Sequence, residues 1–309
     1  MTRRDWTLLL GLAAIWGVSY LLIKIGVRDF SPAMVVLIRV LFGALVLIPV
    51  AMSRGALAGG RERLGWLVLV ALAQVAAPFL LIAIGEQHIS SALAGILVAS
   101  APIWTALLAT FVDAEEQAHG LRLVGIVAGI AGVVVLLGVD LGGDGDELLG
   151  GLAVVLAGLG YAIGALLAKK KLAGVQPIGV ATMVLALGTV LIAPVAVLTA
   201  PSETPGIGPL AALIALGVVG TGFAFAIFYR LIATIGPART YLVTYLAPGF
   251  AVVYGATFLD ESIGLAALAG LALIIFGSYL AGEGRLPWRR GPASVAPGDR
   301  GAGLAPVRD

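Results

Sequence analysis

The sequence is 309 residues long, with 60% apolar and 12% charged residues, a mean hydropathy of +1.08 and a formal net charge of +2. Soluble domains carry about 25% charged residues, so the composition excludes a soluble globular protein and indicates a polytopic membrane protein. The absence of cysteine excludes disulfides, a thiol nucleophile and cysteine metal sites, and two histidines are too few for a histidine metal cluster.

Ten apolar stretches, each near the ~20 residues that a bilayer-spanning helix needs, predict an all-α integral membrane protein with ten transmembrane helices. They cover residues 6–26, 32–53, 64–85, 91–112, 121–139, 148–168, 177–199, 209–230, 237–259 and 263–282. The segment from Arg285 onward is rich in Gly, Pro and Arg and is predicted to be a disordered tail.

Lysine and arginine residues collect on one side of this topology, which we call the basic face. It carries Arg3, Arg4, Arg54, Arg61, Arg63, Arg122, Lys169, Lys170, Lys171, Arg230, Arg239, Arg285, Arg289 and Arg290. The opposite face carries Lys24, Arg28 and the acidic loop 140–147. Since cytoplasmic loops are enriched in Lys and Arg, we predict a multi-pass protein of the cell (inner) membrane with both termini in the cytoplasm.

An internal repeat relates the two halves of the chain. Residues of the same type recur 145 or 146 positions apart: Pro32 and Pro177, Gly43 and Gly188, Pro49 and Pro194, Lys24 and Lys169, Phe79 and Phe225, and Pro102 and Pro248. The same register places Trp16 opposite Tyr161. Because each unit has an odd number of spans, five, the second unit must enter the membrane from the other side. We therefore predict two inverted five-helix repeats, at 1–146 and 147–284, followed by the tail at 285–309.

Two spans occupy corresponding places in these repeats and share an unusual design. Ala92–Glu116 and Ala238–Glu261 each have a central Ala-Pro, at Pro102 and Pro248, and an acidic end. A proline in mid-span frees a backbone carbonyl, which is tolerated where the helix packs on protein or lines a wet cavity. The pair predicts a site between the two repeats.

The segment WGVSYLLIKIGVRDFSPAMVVLIRVLFGALVL, residues 16–47, resembles the opening of the EamA-type branch of the drug/metabolite transporter superfamily. The likeness rests on Trp16-Gly17, Lys24, Ser31-Pro32 and Arg39, and on the Ala-Pro spans followed by a helix with Gly125, Gly129 and Gly132. It covers residues 6–282 and implies a ten-helix transporter fold. It also implies export of amino acids, of an aromatic or hydrophobic kind among others, or of similar small metabolites.

Polar and aromatic residues near the middle of several spans predict a substrate cavity with hydrogen-bonding groups and aromatic walls. Ser100 and Trp104 are four residues apart and share a helical face, and Tyr241, Tyr245 and Pro248 also lie on one face. The predicted substrate-binding residues are Trp16, Ser19, Gln74, Ser100, Trp104, Tyr161, Thr221, Tyr241, Thr244 and Tyr245. The alternative for any single Trp or Tyr is ordinary packing or a place in the interfacial aromatic belt.

A second set of residues is predicted to have gating or structural roles: Lys24, Arg39, Glu86, Pro102, Lys169 and Pro248. Arg39 lies well inside a span, where an arginine costs ~2.5–3.5 kcal/mol on insertion scales. It is expected to snorkel outward or pair with Glu86; the alternative is a gate or a contact with a substrate carboxylate. Lys24 and Lys169 are expected to be interfacial anchors or gate contacts. Glu115, Glu116 and Glu261 are expected to be solvated charges at span ends.

These features predict a secondary transporter that works by alternating access, without metal or cofactor, and as a monomer in the bilayer. Its partner is a small-molecule substrate, with no nucleic acid. No Asp or Glu lies at the middle of a span, which favours a facilitator or exchanger over a proton antiporter; Glu86 and His88 are the remaining candidates for proton coupling. The alternatives are a proton-coupled antiporter, a channel and an intramembrane enzyme. HExxH, GxSxG and P-loop motifs are missing, so no catalytic residue is predicted.

Overall fold

A computed structural model describes residues 1–112, 119–140 and 145–283, and secondary structure within these ranges is helical throughout. Glu115, Glu116, residues 141–144 of the acidic loop and the tail from 285 lie outside the described residues. The α-helices are α1 (Arg3–Gly26), α2 (Pro32–Ser53), α3 (Leu64–Ala71), α4 (Ala77–His88), α5 (Ser91–Val98), α6 (Ala101–Val112), α7 (Leu121–Val135), α8 (Gly145–Lys171), α9 (Pro177–Leu198), α10 (Ile207–Gly217), α11 (Ala224–Ile235), α12 (Pro237–Thr240), α13 (Val243–Phe258) and α14 (Leu265–Glu283).

The predicted all-α membrane fold with ten spans is confirmed. In the described part of the chain, nine helical stretches are long and apolar enough to cross a bilayer, and the shorter apolar helix α13 supplies the tenth span together with α12. The second and seventh spans start alike, with a proline in the first turn of α2 and of α9. Proline suits this position because its missing N–H would have no partner there.

The fourth span is interrupted near its middle rather than continuous. Helix α5 ends at Val98 and α6 begins at Ala101, just before Pro102. Two carbonyls at the break are satisfied by side chains: Ser100 Oγ donates to Leu97 O at 2.6 Å, and Ser278 Oγ of α14 donates to Ala99 O at 3.2 Å. The break therefore leaves these two backbone groups satisfied inside the membrane.

Two short π-helical segments occur at matching places in the two halves. Leu72–Ala76 joins α3 to α4, and Val218–Phe223 joins α10 to α11. Their starts lie 146 residues apart, as do Pro102 and Pro248. Because π segments arise where the regular i→i−4 ladder is interrupted and are frequent at functional sites, this shared irregularity is a further feature that the two halves have in common.

The packing of the helices repeats between the halves. Helix α2 packs on α9 and α7 packs on α14, pairing the second span with the seventh and the fifth with the tenth. Helix α1 packs on α13 and on the α10–α11 span, while α8 packs on the α5–α6 span and on α4. These are the contacts that exchanging the two inverted repeats would reproduce.

Close helix approach in the fifth and tenth spans depends on glycine. A side chain at Gly277 would collide with the backbone of Gly125 and Gly129. The spacing Gly125-xxx-Gly129 thus serves contact between α7 and α14 of the same chain. Small residues allow this approach because they leave room for the backbones of two transmembrane helices to come close together.

Candidate functional site

A cavity of about 950 Å³ lies between the two halves. Helices of both repeats contribute to its wall, with Trp16 and Gln74 from the first and Tyr161 and Tyr245 from the second. Trp16 and Tyr161 are repeat equivalents, as are Pro102 and Pro248, and all four line the cavity. The cavity therefore lies where the duplicated Ala-Pro spans led us to expect a site.

The structure brings together most of the residues predicted to bind substrate. Seven of the ten line this cavity: Trp16, Ser19, Gln74, Tyr161, Tyr241, Thr244 and Tyr245. Four of the six residues predicted to act in gating or structure line it as well: Arg39, Pro102, Lys169 and Pro248. Five predicted residues lie outside its wall, and their contacts are described below: Ser100, Trp104, Thr221, Lys24 and Glu86.

Ser100 and Trp104 share one helical face, as predicted, but that face is turned away from the cavity. Trp104 Nε1 donates to Ser100 Oγ at 3.1 Å, and Ser100 is 0% exposed. Both side chains pack beside Gly158 of α8, where an added Cβ would lie 3.3 Å from Trp104 Cδ1. Their assignment to the cavity wall is therefore wrong in this structure, and they brace the broken fourth span against α8.

Arg39 neither snorkels outward nor pairs with Glu86. Its Nε donates to Thr221 Oγ1 at 3.1 Å, and its Cζ lies 3.7 Å from the centre of the Phe79 ring. Thr221, in the second π segment, is 0% exposed, and its hydroxyl donates to Leu216 O of α10. These contacts hold the guanidinium against the cavity wall, where a cation over an aromatic face is stabilised by the ring quadrupole.

The charge of the cavity wall is entirely positive among the described lining residues. Arg39, Arg122 and Lys169 line it, and no Asp or Glu does. Arg122 and Lys169 are at the ends of spans on the basic face, so Arg39 alone brings positive charge to the interior. Such a wall attracts anions and disfavours cations.

Several aromatic side chains of the wall were missed from the sequence. Trp16 contacts Phe225 and Phe228 at centroid distances of 6.3 and 5.4 Å, and Phe79 contacts Tyr161 at 6.3 Å. Tyr20 and Tyr229 line the cavity as well. Two signals for these residues were present in the sequence. Phe79 and Phe225 match at the repeat offset. Tyr20 follows Trp16 by one helical turn, and Tyr229 follows Phe225 by the same distance.

The cavity opens toward the basic face and is closed toward the opposite one. At the basic face its lining residues Lys169, Gly174 and Gly282 are exposed to solvent. At the other end Ile23 and Ile82 are only 1% and 2% exposed. The structure thus shows a one-sided vestibule rather than a continuous pore.

The closed end is tied by polar contacts. Lys24 Nζ donates to Glu86 O at 2.6 Å and to Ile89 O at 2.8 Å, which joins the end of α1 to the end of α4. The equivalent Lys169 lies at the open mouth. The two lysines therefore occupy equivalent positions at a closed and an open end.

Glu261 joins the two repeats at the closed end and is more than a solvated loop charge. Its carboxylate accepts hydrogen bonds from Ser91 N at 2.8 Å, Ser91 Oγ at 3.1 Å and Ala92 N at 3.0 Å. These are the first donors of α5, where a negative charge also complements the helix dipole.

Glu86, which was expected to pair with Arg39 or to take part in proton coupling, has a buried carboxyl group without a partner in the described part of the chain. Its side chain is 0% exposed, and neither carboxyl oxygen has a hydrogen-bond partner among the described residues. His88, the other residue considered for proton coupling, is exposed.

A model of the EamA-like transporter family matches this chain over residues 6–138 and 148–282. The "Probable amino-acid metabolite efflux pump" of Escherichia coli (strain K12) is 27% identical over 301 residues, which cover 94% of this chain and 98% of that protein. The "Uncharacterized inner membrane transporter YedA" of the same strain is 26% identical over 294 residues, covering 94% of each chain.

A relative from another bacterium and a solved structure extend this similarity. The "Uncharacterized transporter YoaV" of Bacillus subtilis (strain 168) is 23% identical over 276 residues, covering 88% of this chain and 94% of that protein. A solved structure titled "Crystal structure of protein" superimposes with a TM-score of 0.63 at 21% identity, covering 91% of this chain and 97% of the other. At that identity the structural match supports the fold alone.

Proposed function

Because this chain belongs to the EamA-like transporter family, we propose that it is a secondary transporter that exports small metabolites, amino acids first among them, by alternating access. The cavity between the repeats carries the proposal: about 950 Å³ is ample for one such substrate, and one end is open while the other is closed. The 27% identity to a protein named as an amino-acid metabolite efflux pump supports the substrate class.

The excess of Lys and Arg on the basic face supports a cytoplasmic location for that face and for both termini. The vestibule then opens to the cytoplasm, where an exporter collects its substrate. Aromatic side chains in the wall suit the apolar part of an amphipathic metabolite.

The residues that line the cavity also bear on whether transport is coupled to protons. No Asp, Glu or His is among the described residues that line the cavity, so none of them offers a carboxyl or imidazole to exchange protons with cavity water. This supports a facilitator or exchanger. A proton-coupled antiporter is the second possibility, and the fully buried Glu86 is the observation that favours it.

Counterflow in proteoliposomes made with the purified chain tests the proposal. Vesicles loaded with an unlabelled amino acid should transiently accumulate the same labelled amino acid, with and without an imposed pH gradient. Accumulation that ignores the gradient supports the exchanger, and accumulation that follows the gradient supports proton coupling. No counterflow across a panel of amino acids would contradict the amino-acid assignment, and flux without saturation or counterflow would indicate a channel.

A further inference from the structure

The contacts of Arg39 indicate which chemical group of a substrate the cavity binds, because its guanidinium has hydrogen-bond donors without an acceptor among the described residues. The Nε atom of Arg39 donates a hydrogen bond to Thr221 Oγ1, whereas its two terminal nitrogens make no hydrogen bond in the described part of the chain. The guanidinium lies over Phe79, so its position is fixed by contacts on one edge and one face. The free edge is the fork that binds a carboxylate through two parallel hydrogen bonds.

Two phenol groups share the cavity with this fork. Tyr20 and Tyr161 line the same cavity as Arg39. Neither hydroxyl makes a hydrogen bond among the described residues, so both remain able to donate to a ligand. Tyr161 also contacts the Phe79 ring over which Arg39 lies. Arginine and two phenols therefore form one donor cluster with an aromatic floor.

The rest of the wall provides no counterpart for an amine. A bound ammonium group would normally be matched by a carboxylate, but none of the described lining residues is Asp or Glu. What remains for an amine is an aromatic face or a hydroxyl, while Arg39 repels it. A charged group in a low-dielectric site needs a partner. Binding therefore depends on a carboxylate, for which Arg39 is the partner.

We propose that Arg39, with Tyr20 and Tyr161, binds the carboxylate of the substrate, and that the cavity selects carboxylates with an aromatic or apolar body irrespective of an amino group. This rests on the proposed function, which it narrows from small metabolites to apolar carboxylates. Amino acids then bind through the carboxylate and side chain, and their deaminated analogues bind as well. Amines that lack the carboxylate are excluded.

Three compounds that differ by one group each provide the test: L-phenylalanine, 3-phenylpropionate, which lacks the amine, and phenethylamine, which lacks the carboxylate. The first readout is thermal stabilisation of the purified full chain, which reports binding without transport. The second is competition with labelled phenylalanine in counterflow. Phenylalanine and 3-phenylpropionate should stabilise the protein and compete; phenethylamine at the same concentration should do neither.

Substitutions at the fork sharpen the test. Arg39→Gln should weaken the binding of 3-phenylpropionate at least about tenfold, because it removes charge-assisted hydrogen bonds. Arg39→Lys should restore part of the affinity, since it keeps the charge and loses the fork. Arg230→Gln is the matched control, because Arg230 is exposed on α11 and lies outside the cavity wall; its binding should equal that of the wild type.

The outcomes separate this proposal from the function on which it rests. Binding of the two carboxylates without counterflow would leave the anion site standing and contradict the transporter assignment. Counterflow of phenylalanine inhibited by phenethylamine as strongly as by 3-phenylpropionate would support transport and overturn the anion site. Failure of every carboxylate to bind, or wild-type affinity in Arg39→Gln, would overturn it too. If Arg39→Gln does not fold, the comparison of the three compounds on the wild-type protein still decides.

Discussion

At the scale of single residues, the surroundings of the Glu86 carboxyl group determine which protonation state it can have. It is 0% exposed and has no hydrogen-bond donor among the described residues. The nearby Lys24 uses its ammonium group on the main-chain oxygens of Glu86 and Ile89 instead. An ionised carboxylate in that position would have lost its hydration without compensation, so the neutral, protonated acid is the form that fits this conformation.

We therefore expect Glu86→Gln to be tolerated. A neutral amide of the same shape replaces a neutral acid, so the free energy of unfolding should change by less than about 1 kcal/mol below about pH 4, where the carboxyl is protonated in the folded and the unfolded chain alike. As the pH rises above about 4, the carboxyl ionises in the unfolded chain but stays protonated in the folded one. The wild type should therefore lose stability relative to Glu86→Gln by up to about 1.4 kcal/mol per pH unit. Thermal denaturation of both proteins across pH measures this.

Infrared spectroscopy supplies the control for that prediction. A protonated carboxylic acid has a C=O stretch that a carboxylate lacks, and this band should be present in the wild type and missing from Glu86→Gln. Severe destabilisation by Glu86→Gln at neutral pH, with no band lost, would mean that Glu86 is ionised and that its partner lies in a part of the chain outside the described residues.

Trp104 and Gln74 allow a comparison of two kinds of residue. Trp104 packs inside the fold and donates to Ser100, whereas Gln74 lines the cavity. Trp104→Phe removes the hydrogen bond to Ser100 and should lower stability by about 0.5–1.5 kcal/mol with an unchanged KM. Gln74→Ala should raise KM with an unchanged Tm, since the amide has no hydrogen-bond partner among the described residues. Thermal denaturation and initial exchange rates distinguish the two, and a reversed pattern would contradict these placements.

Part of this residue-level picture was available from the sequence and part was not. The four-residue spacing correctly put Ser100 and Trp104 on one face. Which face meets the cavity depends on the rotation of the fourth span, and Gly158 on α8, remote in sequence, leaves the space that receives Trp104. Arg39 illustrates the same limit: its position in a span was evident, but its partners Thr221 and Phe79 come from two other spans.

At the scale of elements, the broken fourth span depends on a hydroxyl from the tenth. Ser278 is 0% exposed and donates to the Ala99 carbonyl at the break. Ser278→Ala should therefore leave a buried carbonyl unpaired and lower the free energy of unfolding by about 1–3 kcal/mol. Thermal denaturation of the purified variant measures the loss.

A matched control exists for this prediction within α9. Thr189 Oγ1 donates to Leu185 O of its own helix, a carbonyl that the helix ladder already satisfies. Thr189→Val should change stability by no more than about 0.5 kcal/mol. Equal effects of Ser278→Ala and Thr189→Val would show that the break does not depend on the hydroxyl of Ser278.

The elements were predictable as spans but not in their internal irregularities. Hydrophobic length identified the ten spans, and Pro102 identified where the fourth would be disturbed. The paired π segments at Leu72–Ala76 and Val218–Phe223 left no such mark. Contacts made by these segments, such as the hydrogen bond between Arg39 and Thr221, join residues that are remote in sequence, so no local pattern encodes them.

At the scale of the whole molecule, the inverted repeats lead to a prediction of how the closed end would open under the proposed alternating access. Lys24 lies in the closed end and its equivalent Lys169 at the mouth; in the same register Glu86 corresponds to Ile232, which lines the cavity. Exchanging the conformations of the repeats would therefore separate Lys24 from the carbonyls of Glu86 and Ile89 and close the mouth around Lys169. Such an exchange is the usual basis of alternating access in inverted-repeat transporters.

Single cysteines test this exchange cleanly, because the chain contains no cysteine of its own. Ile23 and Ala168 are repeat equivalents; Ile23 is 1% exposed near the closed end, whereas Ala168 lines the cavity on the side of the mouth. With a bulky membrane-impermeant maleimide, Ala168→Cys should react from the basic face. Ile23→Cys should resist the reagent from the opposite face until substrate drives turnover, because only the exchanged conformation opens that end. Rapid labelling of Ile23→Cys from the opposite face without substrate would instead mean a pore open at both ends, and labelling that substrate never increases would mean that the closed end does not open in the transport cycle.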